Sequence, residues 1–158
     1  GKALRWGLSV DQLDERAAEP WLAAIAVPTS MCERVAYTGA HAWLARRPLA
    51  GGALTGASGP EVSERIAIAC AKAAPYVKRE PAAARSCDAA RAQLERNVRI
   101  EHVECETIAE LALRFVIDRG AIALPRLHRR EHVVEAIAAA SAPSLSYPEQ
   151  IFSSIVET

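Results

Sequence analysis

The sequence predicts an α/β fold built on a parallel sheet, and three observations predict it. Four apolar runs, Ala3–Val10, Leu22–Val27, Ala42–Ala45 and Ala121–Leu124, have the length and hydropathy of strands, the second and fourth being of the buried kind. Segments with apolar residues three and four apart lie between and after them, most clearly from Glu104 to Arg119. Proline or glycine closes most of the runs, so that short strands alternate with helices, the order that yields parallel pairing.

Each element has its own reason. Ala3–Val10 alternates as a short strand, and Asp11–Glu19 follows as a helix with Ser9 or Asp11 as its cap and acidic residues in its first turn, stopped by Pro20. Leu22–Val27 is a second strand, ended by Pro28-Thr29. Ala42–Ala45 is a third, running into Arg46-Arg47-Pro48 and the turn Ala50-Gly51-Gly52. Val62, Ile66, Ile68, Ala69 and Ala73 space a helix from Pro60 to about Val77, with Pro60 in its first turn. Residues 78–102 mix Arg, Glu and Ala as a solvated helical face. In the clearest helix, 104–119, Ile108, Leu111, Ala112, Phe115 and Val116 form the apolar face and Gly120 the stop. Ala121–Leu124 is the fourth strand, ended by Pro125; helices over Arg129–Ala140 and Tyr147–Ile155 complete the chain.

The chain has 158 residues, 51% hydrophobic and 24% charged, which suits one domain, 1–158, with a real core. Nineteen basic residues balance nineteen acidic ones, so there is no global charge to draw the chain to nucleic acid or to an anionic membrane surface. Sixteen arginines against Lys2, Lys72 and Lys78 is a skew that coding bias produces before function does. The longest apolar run, Trp21 to Val27, has seven residues, against roughly 20 for a bilayer-spanning helix. The opening GKALRWGLSV carries no signal-peptide core and no initiator Met, the mark of a processed or cut chain. Cys32, Cys70, Cys87 and Cys105 stand 17 to 38 residues apart without a C-x-x-C pair, which favours reduced, mostly buried thiols and a cytoplasmic setting.

Two patterns invite a metal or a nucleophile. His128-Arg-Arg-Glu-His132 matches H-x-x-E-H, which places two imidazoles on one helix face as in a zinc site, but a third ligand is needed, and an exposed, charged helix start is the simpler reading. Cys32, His41, His102 and Cys105 are too widely spaced to argue for a metal set, and no group orients a Cys-His nucleophile. The expectation is no metal and no catalytic residue on this chain.

The segments in order carry a resemblance. GKALRWGLS (1–9) resembles the fifth barrel strand of aldo/keto reductases, G-K-I-R-x-I-G-V-S-N. RRPLAGGALTG (46–56) resembles their seventh strand and its loop, Y-S-P-L-x-G-G-x-L-T-G. ETIAELALRFVIDRGAIALP (106–125) resembles the penultimate helix and eighth strand, and LSYPEQI (145–151) is similar to the family's C-terminus. The resemblance implies half of a (β/α)8 TIM barrel, about four parallel strands with flanking helices, corresponding to strands five to eight and completed by another segment or chain. The family's catalytic Asp, Tyr, Lys and His lie on earlier strands and have no counterpart here.

What this half supplies in the family is most of the NADP(H) site, and position by position the resemblance implies a mixed inheritance. The Ser-Asn that holds the nicotinamide carboxamide is Ser9-Val10 here, and the Gln of the sixth strand falls at Thr29. The Tyr that stacks on the nicotinamide falls at Arg46, whose guanidinium brings a positive charge beside a ring that is cationic when oxidised. The pyrophosphate-side loop keeps its form through Pro48, Leu49, Gly51 and Gly52, the glycines allowing close approach of an anion. The eighth-strand motif is Leu124-Pro125-Arg126, and Arg126, His128, Arg129 and Arg130 crowd the start of the last barrel helix, where the family holds the 2′-phosphate. The adenosine-end Glu-Asn is Glu135-Ala136. The implied function is a half-barrel subunit, non-catalytic alone, that gives scaffold and a residual NADP(H) or other anion site to a larger assembly, completed by a missing N-terminal half, a partner chain or a second copy in a homo-oligomer. The alternatives are the C-terminal part of an active NADP(H)-dependent carbonyl oxidoreductase whose catalytic residues lie upstream or on a partner, and a non-enzymatic interaction module that offers Arg126–Arg130 to an acidic partner. In the family the charged stretch 78–102 corresponds to a loop and helix that close over the cofactor, which implies a lid.

Overall fold

The structure, a computed structural model, describes residues 5–32, 39–55, 62–98, 100–101, 103–146, 153 and 155. Strands β1 (Trp6–Ser9), β2 (Leu22–Pro28), β3 (Ala42–Arg46) and β4 (Ile122–Leu124) form one sheet in the order β1-β2-β3-β4, and every neighbouring pair is parallel. Helices α1 (Glu64–Ala73), α2 (Asp88–Arg96), α3 (Ile108–Asp118) and α4 (Arg130–Ser141) accompany it.

The register sorts the sheet into two unlike faces. Leu8 stands beside Ile25, Ile25 beside Trp43, and Val27 beside Ala45, which is beside Ala123. Ile25, Val27, Trp43 and Ala45 on this face are buried and join one core with Ala67 and Cys70 of α1 and Leu111, Phe115 and Val116 of α3. On the opposite face Ser9, Ala24, Ala26, Ala42, Leu44, Arg46, Ile122 and Leu124 alternate with them, and none is buried. Right-handed crossovers between neighbouring parallel strands put their helices on one side, which is why a sheet ordered this way has one covered face.

Several elements are shorter than their periodicity implies, for local reasons. The helix expected over Asp11–Glu19 is a 3-10 turn, Glu15–Ala18. Its cap is Asp14, whose carboxylate accepts the Arg16 N–H at 3.0 Å, rather than Ser9 or Asp11. The segment is short, is bounded by Pro20 and buries no residue of the turn, so it lacks the packing that offsets the cost of starting an α-helix in α2. Helix α1 begins at Glu64 behind a Ser63 cap that accepts the Ile66 N–H at 3.4 Å, and Pro75 turns its C-terminus into a 3-10 turn, Ala74–Tyr76. The expected first-turn Pro60 lies outside the described residues, as do Ala3 and Leu4. The charged stretch is not one helix: Pro81 precedes a 3-10 turn, Ala82–Arg85, and α2 follows. Most of the helix expected at Tyr147–Ile155 lies outside the described residues, although Ile155 is buried in the core.

Helix α3 is the centre of the packing. Thr107 caps it, its hydroxyl oxygen accepting the Glu110 N–H at 3.1 Å, while the Glu110 carboxylate accepts the Glu106 N–H at 2.7 Å. Arg114, also on α3, donates from Nη1 to the carbonyls of Ala139 (3.1 Å) and Ala142 (3.0 Å) and from Nε to Asp118 (2.9 Å), tying the C-terminus of α4 to α3. No helix among the described residues is long and apolar enough to cross a membrane.

Candidate functional site

The chain leaves β3 through a turn with an unusual backbone. Arg47, Ala50, Gly51 and Gly52 have φ of 54°, 50°, 69° and 95°, all in the left-handed region. Glycine adopts it freely, but Arg47 and Ala50 hold it at about 1–2 kcal/mol each. The turn is fixed by Ala50 N–H to the Arg47 carbonyl (2.8 Å) and Gly52 N–H to the Leu49 carbonyl (2.9 Å). Strain of this kind persists where the surroundings over-determine it, and it concentrates at ligand sites.

This turn is one wall of a cavity of about 710 Å³ at the C-terminal ends of β3 and β4, lined on this side by Arg47, Pro48, Leu49, Gly51, Gly52 and Thr55. The segment after β4 is the second wall, through Leu124, Pro125, Arg126, His128 and Arg129. The first turn of α3, at Thr107, Ile108 and Ala109, and His132 and Glu135 of α4 form the floor. Glu80, Pro81 and Ala82 close the fourth side. They are held there because Lys78 N–H and Arg79 N–H donate to the carbonyls of Cys105 and Glu106, each at 3.0 Å. The stretch read as a lid therefore contributes a wall pinned to the start of α3.

The charges in the cavity are unevenly satisfied. Glu80 is engaged by Arg85, and Glu135 accepts the Thr107 hydroxyl at 2.5 Å. Arg47, Arg126 and Arg129 have no acidic partner among the described residues. Arg129 is also the N-cap of α4 and supplies no side-chain hydrogen bond to its first turn, so the positive end of that helix dipole opens beside the same guanidinium. His128 and His132 meet edge to face at 4.9 Å, and the His132 ring nitrogen Nδ1 lies 3.3 Å from the Arg126 carbonyl. Desolvation, then the charges of Arg126, His132 and Arg129, hold the His128 imidazole below its ordinary value of 6.5. The surroundings on this side of the cavity are therefore positively charged.

The eleven positions singled out from the sequence divide cleanly. Pro48, Leu49, Gly51, Gly52, Arg126, His128 and Arg129 meet in this one cavity although about 75 residues separate the two segments. Arg130 faces a different depression, between α3 and α4, with Arg79, Glu106 and Glu131. Ser9, Thr29 and Arg46 do not line the cavity. Thr29 is 2% exposed; its hydroxyl donates to the Val27 carbonyl (3.1 Å) and accepts from the Trp43 indole N–H (3.3 Å), so it packs the end of β2. Arg46 reaches across the end of β2 to the chain after β1, donating from Nη2 to the Val10 carbonyl (2.6 Å) and to Asp11 (2.9 Å). Its buried Nε has no hydrogen-bond partner among the described residues.

The resemblance had placed Glu135 at the adenosine end of the site, and it does line the cavity; Arg47, Thr55, Glu80, Thr107 and His132 are cavity residues that the sequence did not single out. The T-x-x-E at Thr107 marks a helix start and so a cavity floor, and His132 was visible in H-x-x-E-H. Nothing in the letters marks Arg47 as left-handed. The thiols of Cys70 and Cys105 are pushed up to about 12, chiefly by burial, and are protonated at neutral pH, which removes them as nucleophiles. Among the described residues no three His, Cys, Asp or Glu side chains gather as a metal site; His102 lies outside them. No protein-family model, no curated protein and no solved structure matches the chain.

Proposed function

We propose that the chain is half of an aldo/keto reductase-like (β/α)8 barrel that holds the phosphate-bearing end of NADP(H), or a similar phosphorylated ligand, and supplies no hydride-transfer group of its own. The observation that carries the reading is the convergence of two distant segments, Pro48–Gly52 and Arg126–Arg129, on one cavity whose Arg47, Arg126 and Arg129 guanidinium groups have no acidic partner among the described residues. The sheet supports the half-barrel part: sequential parallel strands are the order of a (β/α)8 barrel, whereas a doubly wound sheet reverses its order at a switch point. A face lined by Ala24, Ala26, Leu44, Ile122 and Leu124 is suited to a barrel interior and not to water.

The other end of the cofactor has no comparable support. The positions that the resemblance assigns to the nicotinamide are a serine at an exposed strand end, a buried threonine with its hydroxyl engaged, and an arginine tied to Val10 and Asp11. Affinity then resides in the phosphates. Isothermal titration of 2′,5′-ADP and of NADPH into the protein should give saturable binding of both, with dissociation constants within about threefold of each other. Charge-assisted hydrogen bonds contribute about 1.5–3 kcal/mol, so Arg126→Ala with Arg129→Ala should weaken both ligands by at least about tenfold. Absence of saturable binding by either ligand, or NADPH binding far more tightly than 2′,5′-ADP, contradicts the proposal.

A further inference from the structure

The two outer edges of the sheet are unlike and complementary. In a parallel sheet a strand added beside β4 must have its open side where β1 has it, so β4 of one chain is matched by β1 of another identical chain. Large apolar side chains collect at both ends. Trp6 of β1 and Trp21 at the start of β2 are 67% and 61% exposed; Ile122 of β4 and Val134 and Ile137 of α4 are between 55% and 60% exposed. Trp6, two residues before Leu8, shares its face of β1, the side of the sheet where the helices lie. Val134 and Ile137 form a stripe on α4, the helix that follows the β4 edge.

The amount of surface agrees. The chain exposes 9774 Å². A compact monomer of its mass exposes about 7,700 Å², a surplus of about 2,000 Å² per chain. Two chains burying that much each fall in the obligate range of roughly 2,000–5,000 Å² in total, well above a transient contact. With no net charge, two copies approach without mutual repulsion.

We propose that the partner closing the sheet is a second copy of this chain, related by a two-fold axis along the strands. Two equivalent joints form, each with β4 of one copy beside β1 of the other and with α4 lying over the joint against Trp6. Eight parallel strands result, the number at which side chains fill a barrel interior. The proposal rests on the half-barrel reading and is independent of what the cavity binds.

Sedimentation equilibrium of the full chain tests it. The expected species at micromolar concentration has twice the 17.0 kDa chain mass. Val134→Glu with Ile137→Glu, and separately Trp6→Lys, should each raise the dimer dissociation constant at least a hundredfold while the circular dichroism spectrum stays unchanged, and Arg91→Glu on α2 should leave the dimer intact. Should the glutamate pair fail to fold, Trp6→Lys on the opposite edge carries the test. A folded monomer at all concentrations overturns the second copy and leaves the half-barrel open to another partner. A dimer that survives both edge variants also overturns it, and if that dimer's outward β1 and β4 amides exchange freely, the half-barrel reading fails with it.

Discussion

Arg114 and Asp118 of α3 show how a single pair of side chains closes one end of the molecule. The guanidinium collects carbonyls from the last turn of α4, while the Asp118 carboxylate also accepts the Leu145 N–H at 2.8 Å. The two side chains are 10% and 6% exposed. Removing one partner strands the other charge, so Arg114→Ala should cost about 3–5 kcal/mol in a urea titration, far more than a surface arginine. Burial pushes the Asp118 carboxyl up, but the hydrogen bonds from Arg114 and Leu145, the Arg114 charge and the Ser144 contact outweigh it and hold it below its ordinary value of 3.8. A carboxyl lowered in the folded state adds stability above its unfolded value and loses it as the pH falls through the folded one. Asp118→Asn should therefore flatten the acid limb of the stability profile below about pH 4. Gly120, with φ of +81° and open space around its missing Cβ, is a simpler case. Gly120→Ala should lower stability by about 1–2 kcal/mol through backbone strain alone. In the cavity, desolvation and then the charges of Arg126, His132 and Arg129 hold the His128 imidazole below 6.5, and an anion bound there would oppose both. Binding of 2′,5′-ADP near neutral pH should be accompanied by proton uptake beyond that of the ligand's own phosphates, read as a buffer-dependent heat in the titration, and His128→Asn should remove that excess.

At the scale of elements, the sequence reading was strongest where a hydrophobic period and a punctuating residue agree. β2 and β3 lie where their apolar runs lie, extended by Pro28 and Arg46, and α3 ends where Gly120 turns. It was weakest where a helix-like composition lacks the length or tertiary support to nucleate, as over Asp11–Glu19 and across Pro81. The candidate site was legible in part: its two main walls, Pro48–Gly52 and Arg126–Arg129, were positions that the resemblance implied, and residue types alone left Gly51-Gly52 equally open to being a plain turn. The wall at Glu80–Ala82 depends on pairing with residues 105–106, a non-local contact without a local signature. The engagement of Arg46 by Asp11 is equally non-local, and only the fold shows that this side chain spans the ends of three strands. The Thr107 cap joins the two levels, since its hydroxyl serves α3 and also reaches Glu135 of α4. Thr107→Ala should cost about 1–2 kcal/mol by chemical denaturation and loosen the cavity floor.

For the whole molecule, the decisive contrast is between the two faces of the sheet. A core of Ile25, Val27, Trp43 and Ala45 under α1 and α3 is sufficient for one layer, while on the other face Ala24, Ala26 and Leu44 are only half-buried and Ile122 and Leu124 are exposed, less cover than apolar parallel strands require. Composition alone allowed 158 residues to be a self-sufficient domain; in the half-barrel proposal, which rests on this distribution of burial, they are one half of a larger sheet. Hydrogen–deuterium exchange of the native particle, read amide by amide, tests that claim most directly. A closed barrel protects the outward amides of β1 and β4 to the same degree as the shared amides of β2 and β3. Outward edge amides exchanging at the rate of an unstructured peptide, beside protected amides in β2 and β3, would show an open four-stranded sheet and contradict the half-barrel.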